Sequence, residues 1–177
     1  MTAQASLDSL KGLIRDIPDF PKPGIIFKDI TPLLADVEGF RFTIDALAAR
    51  YEKAAVTKVA GIEARGFIVA APLAYRLSAG FIPIRKQGKL PGSVEAQAYE
   101  LEYGTDHLEV RSDAIEPGER VLIVDDVLAT GGTAAAAAGL VQRCGGEVCG
   151  IATIMELGFL DGRSRLDGLD VFTLVSF

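Results

Sequence analysis

Two adjacent acids followed by two adjacent glycines carry the strongest chemical signal in the chain. They lie in one run, Val121 to Thr133, in which four apolar residues precede Asp125 and Asp126, and Thr130-Gly131-Gly132-Thr133 follows shortly after. An apolar run of that length predicts a buried strand that delivers both acids to its carboxyl end. Ligands of open α/β sheets bind at that end of the strands. Glycines let backbone amides approach an anion closely, and a helix opening there favours negative charge. Thr130 and Thr133 add hydroxyl donors. One segment thus offers carboxylates for hydroxyl groups and, a few residues on, a cradle for a phosphate. A sugar phosphate has both ends.

Neighbouring readings fit less well. A nucleotide-hydrolase phosphate loop requires Gly-Lys-Ser/Thr, and no lysine stands beside Gly131 and Gly132. The Gly-x-Gly-x-x-Gly fingerprint of dinucleotide sites is missing after this strand. A response-regulator domain also has an acidic pair after a strand, but near its start and without a glycine-rich loop. A plain turn with two solvated aspartates would need none of the threonines or glycines.

The rest of the composition narrows the chemistry further. His107 is the single histidine, so neither a histidine-rich metal site nor a relay of histidines is available, and a Ser–His–acid triad would have to use a residue beside an expected turn. Cys144 and Cys149 are too few for a disulfide framework and have no zinc-ligand partners, so they read as plain thiols in a reducing compartment. The net charge of −6 and a pI of about 4.8 argue against a nucleic-acid partner. A few converging cations can still bind a small anion. Residues 1–6 lack a basic stretch followed by an apolar one, and no apolar run approaches the roughly 20 residues a membrane span needs. The expectation is a cytoplasmic protein with no membrane partner.

The elements that must position the acids and glycines follow from hydrophobic periodicity. The 177 residues suit a single domain, 49% of them apolar and with a mean hydropathy of +0.29; a chain of about 150 residues buries roughly 68–70% of its unfolded surface. Leu7, Leu10, Leu13, Ile14 and Ile17 recur at helical spacing, which predicts a helix over 6–17 ended by Pro18. A proline-set loop precedes an extended Ile25-Ile26-Phe27. Thr31-Pro32 predicts a helix start with Thr31 as the cap, followed by a longer helix with Phe40, Ile44, Leu47 and Tyr51 on one face. Strands are expected at Val59–Ile62, Phe81–Ile84, Val121–Val124, Val148–Met155 and Val171–Val175. Helices are expected over 66–77, with Pro72 as an interruption, and over 132–144, where Ala134 to Ala138 allow close approach to a sheet. Residues 86–97 read as a long loop of the kind that serves as a lid. Tyr99–Tyr103 and His107–Arg111 read as a pair of strands around Gly104. Strands alternating with helices predict an α/β fold with a largely parallel central sheet flanked by helices.

The run from Asp125 to Thr133 resembles the phosphoribosyl-pyrophosphate motif of the type I phosphoribosyltransferases. Four further segments narrow the resemblance to the adenine-using members of that family: Phe20 to Ile30, Gly61 to Phe67, Arg85 to Gly92, and Leu101 to Gly104. They occur in the family's order and span nearly the whole chain. The resemblance implies the type I phosphoribosyltransferase fold, with a small N-terminal hood over roughly 1–35 and a core with a flexible lid loop over 36–177. It implies a glycosyltransferase of purine salvage that moves the phosphoribosyl group of 5-phosphoribosyl-1-pyrophosphate to adenine, giving AMP and pyrophosphate. Other members act on xanthine or other bases, and some relatives are non-catalytic sensors with an added DNA-binding domain.

Residue roles implied by the resemblance follow the same order. Asp125 and Asp126 would hold the ribose hydroxyls, and Ala129, Thr130, Gly131, Gly132 and Thr133 the 5-phosphate. Lys28, Arg65, Arg85, Lys86 and Lys89 would converge on pyrophosphate, with Arg65 and Lys86 also serving catalysis. Lys28 stands where arginine is common, which loses a planar two-pronged donor. Ile25, Ile26, Phe27, Arg65 and Leu157 would form the base pocket. No lysine occurs in Ile151 to Glu156, where members using 6-oxopurines place one, and that favours adenine. Glu102 would manage a proton on the purine. Magnesium would be held mainly by the substrate, with no direct protein ligand. Many relatives carry a cis peptide at the position of Glu63–Ala64, and homodimerisation is the family's habit.

Overall fold

The computed structural model describes residues 3–100 and 105–177. Helix α1 spans Ala3–Gly12, and strands β1 (Arg15–Pro18) and β2 (Ile26–Asp29) form a small antiparallel pair of their own, with Arg15 opposite Asp29 and Pro18 opposite Ile26. The helix expected over 6–17 therefore ends five residues early. Gly12 is a weak helix former, the amides of Leu13 and Ile14 close tight turns on Leu10 and Lys11, and pairing with β2 then satisfies the backbone of Arg15 to Pro18. A periodic pattern cannot report a partner strand eleven residues away.

Helix α2 (Thr31–Ala35) begins one residue earlier than expected. Thr31 is already helical, and its amide donates to Asp29 Oδ1 at 2.9 Å, so Asp29 takes the capping role assigned to Thr31. The Thr31 hydroxyl, and then this amide, hold the Asp29 carboxyl below its usual range. Helix α3 (Val37–Tyr51) is capped by Asp36, which accepts from the Gly39 amide at 2.7 Å.

Seven strands form the main sheet: β3 (Lys58–Ile62), β4 (Gly80–Lys86), β5 (Val94–Glu100), β6 (Thr105–Arg111), β7 (Arg120–Leu128), β8 (Glu147–Glu156) and β9 (Val171–Ser176). Their order is β5-β6-β4-β3-β7-β8-β9. The five strands from β4 to β9 run parallel, and β6 and β5 join antiparallel at one edge. This is the largely parallel α/β sheet the sequence predicts.

Helix α4 (Arg65–Arg76) and helix α3 cover one face of the sheet, and helix α5 (Gly132–Arg143) the other. Side chains alternate along β7: Leu122 and Val124 join the core with Leu47, Val69 and Leu73, while Val121 and Ile123 join the core with Leu140 and Val141. Burial on both faces explains the unbroken apolar run. Ala136, Ala137 and Ala138 are at most 5% exposed, so their small size does bring α5 close to the sheet. Pro72 does not interrupt α4, because Val69, Ala70 and Leu73 anchor the helix on both sides of it.

The long loop expected over 86–97 is shorter. Strand β4 runs to Lys86 and β5 starts at Val94, opposite Arg111 of β6, leaving 87–93. Residues 101–104, with Glu102 and the expected strand end at Tyr103, lie outside the described residues. Two short 3₁₀ turns, Gly158–Leu160 and Gly162–Arg165, connect β8 to β9 and pack on the site.

Candidate active site

Strand β7 runs to Leu128, so Asp125 and Asp126 sit within the strand, opposite β8, with Asp125 in register with Thr153. The expectation that they end the strand is corrected by this pairing. Asp126 is 3% exposed; its amide donates to Asp125 Oδ1 at 2.9 Å, and Arg65 Nη2 lies 2.9 Å from Asp126 Oδ2. Burial, and then the neighbouring charge of Asp126, push Asp125 well above the usual carboxylate range. Burial also raises Asp126, against the opposing pull of Arg65. Two acids so placed gain from any ligand that donates hydroxyls to them.

The loop after β7 is fixed by backbone packing. Gly131 adopts φ +80°, and a Cβ there would stand 2.2 Å from Gly162 O; a Cβ on Gly162 would stand 2.2 Å from Ala129 O. Only glycine at both positions lets the loop and the second 3₁₀ turn interlock. The Ala135 amide then closes on Gly131 O at 2.9 Å, and α5 begins with its free amides beside the loop. Asp125, Ala129, Thr130, Gly131, Thr133 and Thr153 line a cavity of about 110 Å³ at this point. Asp125 and the loop that the sequence placed in one segment therefore share one cavity, while Asp126, on the other face of the strand, is held by Arg65 outside it.

A second cluster forms where β3 meets α4. The Glu63–Ala64 peptide is cis, and the Glu63 side chain is only 8% exposed. Its carboxylate accepts from Arg85 Nε at 3.0 Å, from the Lys86 amide at 3.1 Å and from the Lys89 ammonium. Arg85 Nη1 also donates to Lys89 O at 3.1 Å. Burial by itself would raise the Glu63 carboxyl, but Lys89, the Lys86 amide and Arg85 together hold it below the usual range. Lys86 Nζ pairs with Asp106 Oδ2 at 3.0 Å, and Tyr99 donates to the same oxygen at 3.2 Å. Of the five cations assigned to pyrophosphate, the structure gathers Arg85, Lys86 and Lys89 here, with Arg65 two residues along from Glu63. Lys28 is placed elsewhere: its ammonium bonds Asp16 at 2.6 Å and lies 4.0 Å over the Phe177 ring.

The base-pocket residues divide in the same way. Ile25, Ile26, Lys28 and Leu157, with Phe159 and Phe177, line an apolar hollow of about 550 Å³. Phe27 instead packs edge-on against Phe20 and lies 5.0 Å beneath the Arg65 guanidinium. Arg65 thus reaches from the hood to the acid pair. Sequence reasoning missed Phe159 and Phe177, which lie in irregular or terminal segments without a periodic signal. It also missed Asp106 and the carboxylate of Glu63; the run of cations Arg85, Lys86 and Lys89 with no acid among them was the only hint. Among the described residues no group of three or more His, Cys, Asp or Glu is placed to hold a metal ion.

Comparison with known proteins agrees with this geometry. The model of the phosphoribosyl transferase domain matches residues 34–173. Adenine phosphoribosyltransferase of Thermosynechococcus vestitus is 60% identical over 168 residues, covering 95% of this chain and 99% of the relative. The enzyme of the same name from Desulfitobacterium hafniense is 54% identical over 93% of this chain and 95% of its own. The crystal structure of adenine phosphoribosyltransferase from Thermoanaerobacter pseudethanolicus superposes with a TM-score of 0.94 at 54% identity, over 97% of this chain and 99% of that one. The Saccharomyces cerevisiae enzyme, complexed with an imino-altritol bisphosphate and adenine, gives 0.92 at 41% identity over 97% and 99%. The chain belongs to the phosphoribosyltransferase family and, within it, to the adenine phosphoribosyltransferases.

Proposed function

We propose that this chain transfers the phosphoribosyl group of 5-phosphoribosyl-1-pyrophosphate to adenine, and that its parts act as follows. The observation that carries the reading is Arg65, which lies over Phe27 of the hood and also pairs with Asp126. A base stacked near Phe27 and a ribose held at Asp125 and Asp126 would then meet at one side chain. Asp125 and Asp126 accept the ribose hydroxyls, and Ala129 to Thr133 hold the 5-phosphate. Phe27 stacks on the purine and Ile26 meets it through its backbone, while the side chains of Ile25, Ile26 and Leu157 line the separate apolar hollow; Lys28 belongs to that hollow rather than to the pyrophosphate. Arg85, Lys86 and Lys89, with Arg65, take the pyrophosphate.

In the reaction the bond from the anomeric carbon to pyrophosphate breaks, the bond to the purine nitrogen forms, and the nitrogen gives up its proton. Glu102 is the group proposed to receive it. Catalysis rests on positioning and on electrostatic stabilisation of the leaving group. Magnesium, held mainly by the substrate, would neutralise charge on the pyrophosphate when bound. Loop 87–93 and the β5–β6 pair serve as the cover that keeps water from the activated sugar.

The hood over roughly 1–35 and the core over 36–177 act as one catalytic unit. The working form is a homodimer, for which Ile68 and Tyr75, exposed seven residues apart on α4, and the nearby Phe81 supply an apolar face. The protein acts in the cytoplasm, where the thiols of Cys144 and Cys149 remain reduced; among the described residues no helix is long and apolar enough to cross a membrane. Incubation with phosphoribosyl pyrophosphate, magnesium and each of adenine, hypoxanthine, guanine, xanthine and orotate tests the reading. AMP from adenine alone is the expected product. A different nucleotide overturns the base assignment, and tight sugar-phosphate binding without product would mark a sensor.

A further inference from the structure

The roles given to Arg85 and Lys89 leave open what holds two long, partly exposed cations in place. Arg85 is 34% and Lys89 47% exposed in their side chains, and a flexible cation must be ordered when it binds an anion. Among the described residues, the side chain that engages both is Glu63, which is itself 8% exposed. It also accepts the Lys86 amide, and so ties the end of β4 to the end of β3. The amide of Gly88, one residue before Lys89, is held from the other side by Glu109 Oε2 at 3.0 Å. Glu63 therefore fixes the start of loop 87–93 as well as the cations on it.

We infer that Glu63 is a positioning residue for the leaving-group site: its carboxylate, closed between β3 and β4, orients Arg85 and Lys89 toward pyrophosphate before the substrate arrives. The inference rests on the proposed function and adds to it a residue whose side chain carries no substrate contact. Several details favour positioning over simple charge cancellation. Glu63 bonds both cations directly, whereas Glu109, across from Arg85 on β6, meets the Gly88 amide. Arg85 uses Nε and Nη1 within the cluster, which leaves Nη2 for an anion. Lys89 has three donors and spends one on Glu63. Glu63 also stands at the head of α4, two residues before Arg65, so the same short segment sets cations on both sides of the reacting bond. Donors held in advance need no rearrangement as charge develops on the leaving group.

The test is made on the full chain with Glu63→Ala and Glu63→Gln. The KM for phosphoribosyl pyrophosphate and the inhibition constant of inorganic pyrophosphate should rise about tenfold in Glu63→Ala, as loss of a charge-assisted contact would give. Glu63→Gln keeps the shape and one acceptor oxygen and should fall between. The KM for adenine and the inhibition constant of AMP, which carries no pyrophosphate, should stay within about twofold. A parallel loss in all four constants, following a lower melting temperature, would make Glu63 merely structural and overturn the inference. Unchanged or tighter pyrophosphate binding would overturn it too, the latter by showing that Glu63 competes with the ligand. If the wild-type chain makes no AMP, the proposed function fails first, while calorimetric binding of inorganic pyrophosphate to the same variants still decides the role of Glu63.

Discussion

The two carboxylate centres of the site are opposite in their energetics. Glu63 is satisfied before any ligand arrives: three donors hold its charge, and its carboxyl lies below the usual range. Asp126 is buried and Asp125 half-buried beside it, Arg65 pairs with Asp126 alone, and both carboxyls are raised above that range. One centre stabilises the empty protein, and the other is a standing cost that a ligand relieves. Buried charge is expensive unless paired and hydrogen-bonded, so under the proposed function the acid pair would hold binding energy in reserve for ribose hydroxyls. The Glu63 centre would instead hold geometry in reserve for pyrophosphate.

Removing charge from the costly centre should have the largest effect on function. Asp126→Asn removes an acceptor for ribose and the anchor of Arg65 together. A hydrogen bond to a charged group contributes about 1.5–3 kcal/mol, so kcat/KM for phosphoribosyl pyrophosphate should fall about 100-fold. The KM for adenine should rise as well, because Arg65 also lies over Phe27. Steady-state kinetics with each substrate varied checks both; an unaltered adenine KM would separate the hood from the acid pair.

The next effect distinguishes charge from shape. Gly131→Ala leaves every charge in place but puts a Cβ against Gly162 O at a positive φ. Backbone strain of that kind costs about 1–3 kcal/mol. The variant should lose about 2 kcal/mol of stability by denaturant titration and bind phosphoribosyl pyrophosphate roughly tenfold more weakly. Pyrophosphate inhibition should hardly change, since the Glu63 centre lies on other segments. Equal losses for both ligands would show that the two centres are mechanically one.

The same contrast explains how much of the molecule was legible in its sequence. The acid pair and its loop lie in one segment, where an unbroken apolar run marks a strand buried on both faces and Gly131 is required by its φ. Such features are local. The Glu63 centre draws on residues 63, 85 to 89 and 106, and only the sheet order β6-β4-β3 brings them together. Arg85, Lys86 and Lys89 were visible as charges, but their shared partner was not. Misread elements failed for the same reason. Leu13, Ile14 and Ile17 keep helical spacing, yet the chain from Arg15 pairs with β2. Strand β5 alternates small apolar residues, Val94, Ala96 and Ala98, with Glu95 and Gln97, too weak a signal without its partner β6. The hollow beside the hood is closed by Phe159 and Phe177, which no periodicity selects.

The smallest effect is the sharpest test of the comparison, because its sign is unusual for a site residue. The folded-state carboxyl of Asp125 lies above its unfolded value of 3.8. A group shifted in that direction contributes stability that is complete below pH 3.8 and is lost as pH rises through the folded-state value. At pH 7 Asp125 is therefore a cost, and Asp125→Asn should raise the melting temperature by roughly 2–4 °C, the scale of about 1 kcal/mol in a protein this size. That gain should vanish in melts below pH 3.8, where the wild-type side chain is neutral too. Glu63→Gln should behave in the opposite sense, because its folded-state carboxyl lies below 4.5: less stable at pH 7, with the difference fading as pH falls through the folded-state value. Phosphoribosyl pyrophosphate should then reverse the order at Asp125, since a ligand stabilises in proportion to its occupancy and the wild type alone keeps the acceptor for the ribose hydroxyls. A destabilised Asp125→Asn at pH 7 without ligand would show that the acid pair, like Glu63, is satisfied in the empty protein, and the distinction between the two centres would fall.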